Sequence, residues 1–129
     1  MKVLVLSNNE LKEKEIKNTL EELHKIVGGY IEMPFLSREF SENKIDAIIN
    51  EEGKFIDGLK PEIAIIKKET NSILDVVYGN CIFASHNKEG NTIELNEEQK
   101  QIVKDKLKMD VLLKEPNKDK HYLVKALFI

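Results

Sequence analysis

Residues 27–32, with the sequence VGGYIE, constrain the fold of this chain most, because they join the end of an amphipathic helix directly to a strand. Apolar residues recur on one face of the helix predicted over residues 19–27, and Asn18 is a suitable N-cap. Gly28 and Gly29 can adopt the left-handed conformation that ends a helix and redirects the chain. The segment therefore predicts architecture rather than chemistry.

The rest of the first half of the chain is predicted to be strands separated by polar segments. Alternating and β-branched residues predict strands over residues 2–6, 30–36 and 45–49. Residues 37–44 are polar and predict a loop. Whether residues 10–17 belong to the first helix stays open from the sequence.

A short hairpin connection is predicted after the third strand. Residues 50–54 form its turn, in which Gly53 takes a left-handed conformation, and residues 55–56 begin the return strand. Pro61 suits the first turn of a helix, so residues 59–67 are predicted to be helical.

The second half of the chain gives a hairpin and a capped helix. Residues 73–78 and 81–85 are predicted strands joined around a Gly–Asn pair, and a strand over residues 92–95 follows. Asn96 then caps a helix that ends near residue 109, and Gln99 is placed to complete a capping box.

The C-terminal segment predicts a second hairpin. Residues 111–113 and 121–129 are its strands, and the polar residues 115–120 are its turn. Because an apolar end must be buried somewhere, we expect it to form a subunit interface of a homo-oligomer. The residues expected in that interface are Tyr122, Leu127, Phe128 and Ile129.

These elements predict the α+β class, as one small domain with a mainly antiparallel sheet, two or three helices and a C-terminal hairpin extension. The 129 residues are enough for one domain with its own core. A composition of 41% hydrophobic and 33% charged residues excludes a disordered chain and a membrane protein. The short apolar run at the N-terminus does not resemble a secretory signal, so we expect a cytoplasmic protein.

Charge and cysteine content restrict the possible partners. A net charge of −3 is too small to indicate direct nucleic-acid binding over the whole surface. Lys100, Lys104 and Lys108 share one helical face, which we interpret as solvated. Cys81 is the only cysteine, which excludes an internal disulfide, and its apolar neighbours predict a place in the core.

The sequence offers no catalytic or metal-binding pattern. The three histidines lie far apart, and none has the spacing of a metal site. Ser85 and His86 are adjacent in a predicted strand, so their side chains point to opposite faces. No glycine-rich phosphate loop is present. We therefore expect no cofactor, no metal and no catalytic residue.

A few residues are candidates for binding. Tyr30 and Glu32 lie on the same face of a predicted strand, which would place an aromatic ring beside a hydrogen-bond acceptor, with a structural role as the alternative. Arg38, Lys67 and Lys68 are the cations available for a phosphate.

The order of segments resembles the domain-of-unknown-function family 3846. The pattern is carried by Tyr30, Glu32, Asn50, Gly53 and Gln99 in this sequence, and Asn50 joins the candidate binding residues for that reason. The resemblance covers residues 1–109, so that residues 110–129 would be an addition. It implies a small protein of phages or plasmids without a known catalytic motif, and at least one relative is associated with inhibition of a host RNA-guided nuclease.

The resemblance and the missing catalytic motifs lead to one main hypothesis, in which the chain is a non-enzymatic counter-defence protein that binds and inhibits a host defence protein. The alternative is an oligomeric sponge that sequesters a nucleotide second messenger. A small enzyme is a third hypothesis, under which mutation of a specific histidine or glutamate would abolish turnover.

Overall fold

The secondary structure is that of a computed structural model, which describes residues 1–115 and 120–129. The strands in this range are β1 (Lys2–Ser7), β2 (Glu10–Glu15), β3 (Ile31–Glu32), β4 (Ile45–Asn50), β5 (Pro61–Lys67), β6 (Ser72–Tyr78), β7 (Cys81–His86), β8 (Thr92–Ile93), β9 (Asp110–Lys114) and β10 (His121–Phe128). The α-helices are α1 (Leu20–Val27), α2 (Arg38–Glu42) and α3 (Glu97–Lys106), and a 3₁₀ turn occupies Gly53–Phe55. Within the described residues, no helix has the length and apolar character needed to cross a bilayer.

The strands form two sheets. The first sheet has six strands in the order β2-β1-β7-β4-β3, with β8 paired to the end of β7. The second sheet has four strands in the order β6-β5-β10-β9. The pair β5–β10 is parallel, and the other pairs are antiparallel. This arrangement confirms the predicted α+β class and the mainly antiparallel sheet in one small domain.

The main core lies where the two sheets and two helices meet. It contains Phe83 from β7, Ile63 from β5, Phe40 from α2, Val103 from α3 and Leu127 from β10. Burial of these side chains drives the packing, at about 25 cal/mol for each Å² of apolar surface removed from water. The C-terminal strand is therefore part of the central packing of the domain.

Two smaller clusters complete the packing. Leu23 and Val27 of α1 pack against Val3 and Ile48 on the first sheet. The third cluster is built from side chains of the second sheet's own strands, including Val124.

A buried carboxylate ties the two sheets together. Glu62 of β5 is 3% exposed. Its oxygens accept the backbone N–H groups of Asn8 at 3.0 Å and Asn9 at 2.9 Å. Both asparagines have positive φ and form the tight turn between β1 and β2. The turn of the first sheet is thus fixed to a strand of the second.

Several local predictions are confirmed. The first strand, the strand predicted over residues 45–49 (β4, which extends to Asn50) and the C-terminal hairpin β9–β10 are present, and Gly28 ends α1 in a left-handed conformation. Asn96 and Gln99 form the predicted capping box of α3. Of the predicted turn over residues 115–120, residues 116–119 lie outside the described residues.

The prediction of a helix over residues 59–67 is wrong, because this segment is strand β5. Pro61 stands at its first residue, a position where a strand tolerates proline. Residues 61–66 are all buried, since β5 lies inside the second sheet with both faces covered. A strand buried on both faces lacks the alternation of apolar and polar residues that usually identifies a strand.

The predicted hairpin of residues 73–78 and 81–85 is also wrong in its pairing. Both segments are strands, but β6 belongs to the second sheet and β7 to the first. Gly79, with φ of 84°, turns the chain from one sheet to the other instead of closing a hairpin. Strand pairing is a long-range property, so local turn residues could not determine it.

Further differences are local. Residues 10–17 contain strand β2, while the predicted strand 30–36 is reduced to Ile31–Glu32. The predicted loop 37–44 contains α2. Thr19, rather than Asn18, caps α1.

The predicted return strand at residues 55–56 is replaced by the 3₁₀ turn. Gly53 does not have the positive φ that was expected of it, and nearby Gly58 does, with φ of 88°. Glycine at position 53 is instead required by a close contact with the backbone of β6.

The interpretation of the lysine face of α3 as solvated is wrong at Lys100, which is 3% exposed. Its Nζ lies 2.7 Å from Oε1 of Glu13 and 2.8 Å from Oε1 of Glu97. The hydrogen bond from Lys100 and its positive charge hold the pKa of Glu13 below its ordinary value. The same contacts raise the pKa of Lys100.

The Glu13 contact predicts a pH dependence. A carboxylate with a lowered pKa in the folded state stabilises the fold above its unfolded pKa, and this contribution is lost as the pH falls through the folded pKa. We expect the free energy of unfolding to fall between about pH 6 and about pH 3, and to fall less in Lys100→Met. Urea unfolding of both proteins across this range measures the difference. If the free energy of unfolding falls equally with pH in the two proteins, the pH dependence does not come from the contact between Lys100 and Glu13.

Candidate functional site: a pocket beside Phe55

The site begins with the last residue of β4. Asn50 is 4% exposed, and its side chain makes two hydrogen bonds. Its Oδ1 accepts the backbone N–H of Glu52 at 2.8 Å, which starts the turn that follows the strand. Its Nδ2 donates to the backbone carbonyl of Val27 at 3.2 Å, at the end of α1. One buried amide therefore connects a helix end to a turn.

Glycines permit the close approach of these segments. A Cβ on Gly29 would lie 3.0 Å from Nδ2 of Asn50. A Cβ on Gly53 would lie 2.7 Å from the backbone oxygen of Tyr78. Because that second contact is to backbone, a side chain at position 53 would push the turn away from β6. The glycine requirement here is steric.

The turn that Asn50 and Gly53 hold presents Phe55 to solvent. Phe55 is 86% exposed, more than any other large apolar side chain in the described residues. It stands at a pocket of about 290 Å³, which is lined by residues of β3, β4, β6 and the turn. We call this the Phe55 pocket; its lining includes Glu32, Asn50, Glu51, Phe55, Val76 and Tyr78. It lies between the end of the first sheet and an edge strand of the second.

The rim of the Phe55 pocket carries negative charge. Glu32 and Glu51 line the pocket, and Glu52 follows in the same turn. Lys54 is the one cation of the described lining, and its Nζ is paired with Oδ1 of Asp75.

The partner of Lys54 stays ionised. Burial alone would raise the pKa of Asp75, but hydrogen bonds from Lys54 and from the backbone N–H of Val76 lower it below its ordinary value. The charge of Lys54 is therefore matched by Asp75 and does not neutralise the glutamates of the rim.

Comparison with known proteins identifies a family. A family model described as Domain of unknown function (DUF3846) matches residues 1–108. The chain belongs to this family. No curated protein and no solved structure matches the chain. The DUF3846 match ends just before β9, so the residues that form the Phe55 pocket all lie inside it.

Two of the predicted binding residues lie at the pocket, and a third, Tyr30, contacts it only through its backbone. Glu32 and Asn50 line the pocket, and the carbonyl of Tyr30 accepts the backbone N–H of Glu51 at 2.9 Å. The Tyr30 ring, which is 73% exposed, packs edge-on against His24 with ring centroids 5.5 Å apart.

Phe55 was not among the predicted binding residues, because a return strand was predicted at its position. The available signal was an apolar pair, residues 55–56, placed between a lysine and an Asp–Gly turn.

The other predicted cations lie at a different place. Arg38 and Lys68 line a cleft of about 550 Å³, together with Phe128 and Ile129, whereas Lys67 is exposed outside it. Nε of Arg38 lies 2.9 Å from Glu42 in this cleft. Lys106, which also lines it, is 2.7 Å from Glu39. A phosphate in this cleft would have to compete with carboxylates for two of its three cations.

The residues predicted for a subunit interface differ in their exposure. Leu127 is fully buried in the main core, and Tyr122 and Phe128 are half-buried against the third cluster. Ile129 is 41% exposed. Oligomerisation through this end of the chain stays a prediction.

Ser85 and His86 of β7 have structural partners. Oγ of Ser85 donates to the carbonyl of Lys44 at 2.8 Å and accepts from Nε2 of Gln99 at 2.9 Å. Nδ1 of His86 instead lies 2.9 Å from Oδ2 of Asp46. Ser85 and His86 therefore use different partners, as expected for neighbours in a strand.

Metal and thiol chemistry find no support among the residues that the structure describes. They contain no group of three or more His, Cys, Asp or Glu side chains that could hold a metal ion. Cys81 is fully buried, and this burial raises the pKa of its thiol, which favours the protonated form.

The role of Asn50 can be tested by truncation. Asn50→Ala leaves the Val27 carbonyl and the Glu52 N–H without their partner, so we expect the free energy of unfolding to fall by about 2 kcal/mol. Asn91→Ala is the control, because Asn91 is exposed and its side chain makes no hydrogen bond in the described structure. Urea unfolding measures both. Equal, small losses in the two variants would contradict the role given to Asn50.

Proposed function

We propose that this DUF3846 chain is a non-enzymatic counter-defence protein, which binds and inhibits a host defence protein through the Phe55 pocket. The observation that carries the proposal is an aromatic side chain, 86% exposed, beside a concave pocket. Exposed aromatic groups of this kind supply much of the binding energy in protein interfaces, where they become buried in the partner.

The backbone beneath Phe55 favours binding without a large entropy loss. The turn is held by the Asn50 hydrogen bonds and by the close contact of Gly53 with β6. A preorganised segment loses less conformational freedom when a partner covers it. Phe55 is therefore presented on a fixed support, as a binding anchor requires.

Two of the outer strands, β2 and β6, are poor alternatives for recognition by strand addition. Strand β2, at one edge of the first sheet, has the sequence ELKEKE, and charged edges oppose pairing with another strand. Strand β6, at one edge of the second sheet, has a register shift where it pairs with Ile65 and Ile66. The carboxylate of Asp75 also accepts the N–H of Val76 at 2.8 Å. Binding through side chains at the pocket fits this surface better.

A nucleotide sponge is the second candidate function, and the cleft beside Lys68 favours it. The cleft has a volume of about 550 Å³, which is large enough for a nucleotide. The pairing of Arg38 and Lys106 with carboxylates reduces the positive charge available to a phosphate. The inhibitor is therefore the better supported of the two functions.

Plaque counts on bacteria that carry active defence systems test the inhibitor. We expect expression of the wild-type chain to protect phage from at least one system, and Phe55→Ala to reduce this protection by about tenfold or more, because loss of an anchor weakens binding. Phe35→Ala is the matched control, since Phe35 is an exposed phenylalanine that lines a different pocket and lies outside the Phe55 pocket. It should keep the protection.

The same hosts allow the inhibitor and the sponge to be separated. Mass spectrometry of the tagged wild-type protein should identify a co-purified defence protein that is absent from the Phe55→Ala sample. A heat-released nucleotide without a protein partner would support the sponge and contradict the inhibitor. An absence of protection in every system would contradict both functions.

A further inference from the structure

We propose that the partner surface bound by the Phe55 pocket is cationic, with lysine and arginine side chains around an apolar contact. This inference rests on the proposed function, and it specifies the chemistry of the protein that fits the site. The inference is based on the charged groups near Phe55 and on which of them form ion pairs.

Three carboxylates at the site lack a cation. Glu32, Glu51 and Glu52 are exposed, and none of them forms an ion pair with another described residue. Lys54 is the cation nearest to Glu51 and Glu52 in the sequence, but its ammonium group is paired with Asp75. The next acidic residue of the turn, Asp57, is also exposed and unpaired in the described structure.

Backbone contacts fix the segments that carry these carboxylates. The N–H of Glu51 is bonded to the Tyr30 carbonyl, and the N–H of Glu52 is bonded to Oδ1 of Asn50. Glu32 pairs across strands β3 and β4, opposite Ile49. Glu32 and Glu51 therefore line the pocket beside Phe55, and Glu52 follows in the same turn, each on backbone that these contacts fix.

Charge complementarity then selects the partner. An anionic or neutral protein surface that covers Phe55 would desolvate these carboxylates without giving them a partner, which opposes binding. A surface with lysine or arginine around an apolar pocket would pair them and bury Phe55 at the same time. The overall charge of −3 is small, so the preference comes from this local arrangement.

Titration with model peptides tests this chemistry. Three synthetic peptides carry the same central leucines, flanked by lysine and arginine, by glutamate, or by serine. Each is added to the isotope-labelled chain of 129 residues, and amide shifts are followed by NMR. We expect the cationic peptide to shift the amides of Glu32, Glu51 and Phe55, and the glutamate and serine peptides to leave them unchanged.

A charge-neutral variant supplies the quantitative test. Replacing Glu32, Glu51 and Glu52 by glutamine should weaken binding of the cationic peptide by about tenfold, since each exposed ion pair contributes only modestly. The matched control replaces exposed glutamates elsewhere by glutamine, with the same change in net charge; its positions are Glu69, Glu89 and Glu98. The control should bind within about twofold of the wild type.

The outcomes separate the two proposals. Equal binding of the three peptides at the pocket, or shifts confined to other surfaces, would overturn the cationic partner. Equal weakening in the variant and its control would also overturn it, because the effect would then come from net charge.

If the peptide results are as expected but no phage is protected, the partner chemistry stands and the counter-defence function falls. If protection depends on Phe55 but survives the triple glutamine change, the function stands and this inference falls.

Discussion

The buried side chain of Asn50 is the interaction on which the arrangement of the site depends. Its amide joins the last turn of α1 to the turn after β4, through the Val27 carbonyl and the Glu52 N–H. Gly29 and Gly53 leave the room that these contacts need. The backbone that carries Phe55, Glu51 and Glu52 is held in place as a result. A residue with a structural role thus determines where the proposed binding surface lies.

Structural features that depend on residues close together in the sequence were predicted correctly. The capping box of Asn96 and Gln99 and the left-handed Gly28 follow from local hydrogen bonding and sterics, and both are present. The pairing of β6 and β7 depends on which strands meet in space, so it could not be obtained from their connecting turn. Strand β5 was missed because its two buried faces remove the alternating pattern.

The site was predicted only in part, because its arrangement also depends on contacts between residues that are distant in the sequence. Glu32 and Asn50 belong to the pattern that carries the family resemblance, and both line the pocket. The structure shows what Asn50 does there: its buried side chain makes two hydrogen bonds. Phe55 could not be identified, because its exposure follows from the 3₁₀ turn and from the contact of Gly53 with β6. Beyond the matched family region, β10 pairs in parallel with β5 and contributes the fully buried Leu127. The second sheet thus combines residues from inside and outside the family match.

Site-specific photocrosslinking tests most directly whether Phe55 contacts a host defence protein. A benzophenone amino acid is placed at position 55 and, for comparison, at position 35, and each protein is irradiated in cells that carry an active defence system. We expect a covalent adduct with one host defence protein at position 55 and none at position 35. Adducts at both positions alike, or none at position 55 in cells where the chain protects phage, would contradict the role proposed for the Phe55 pocket.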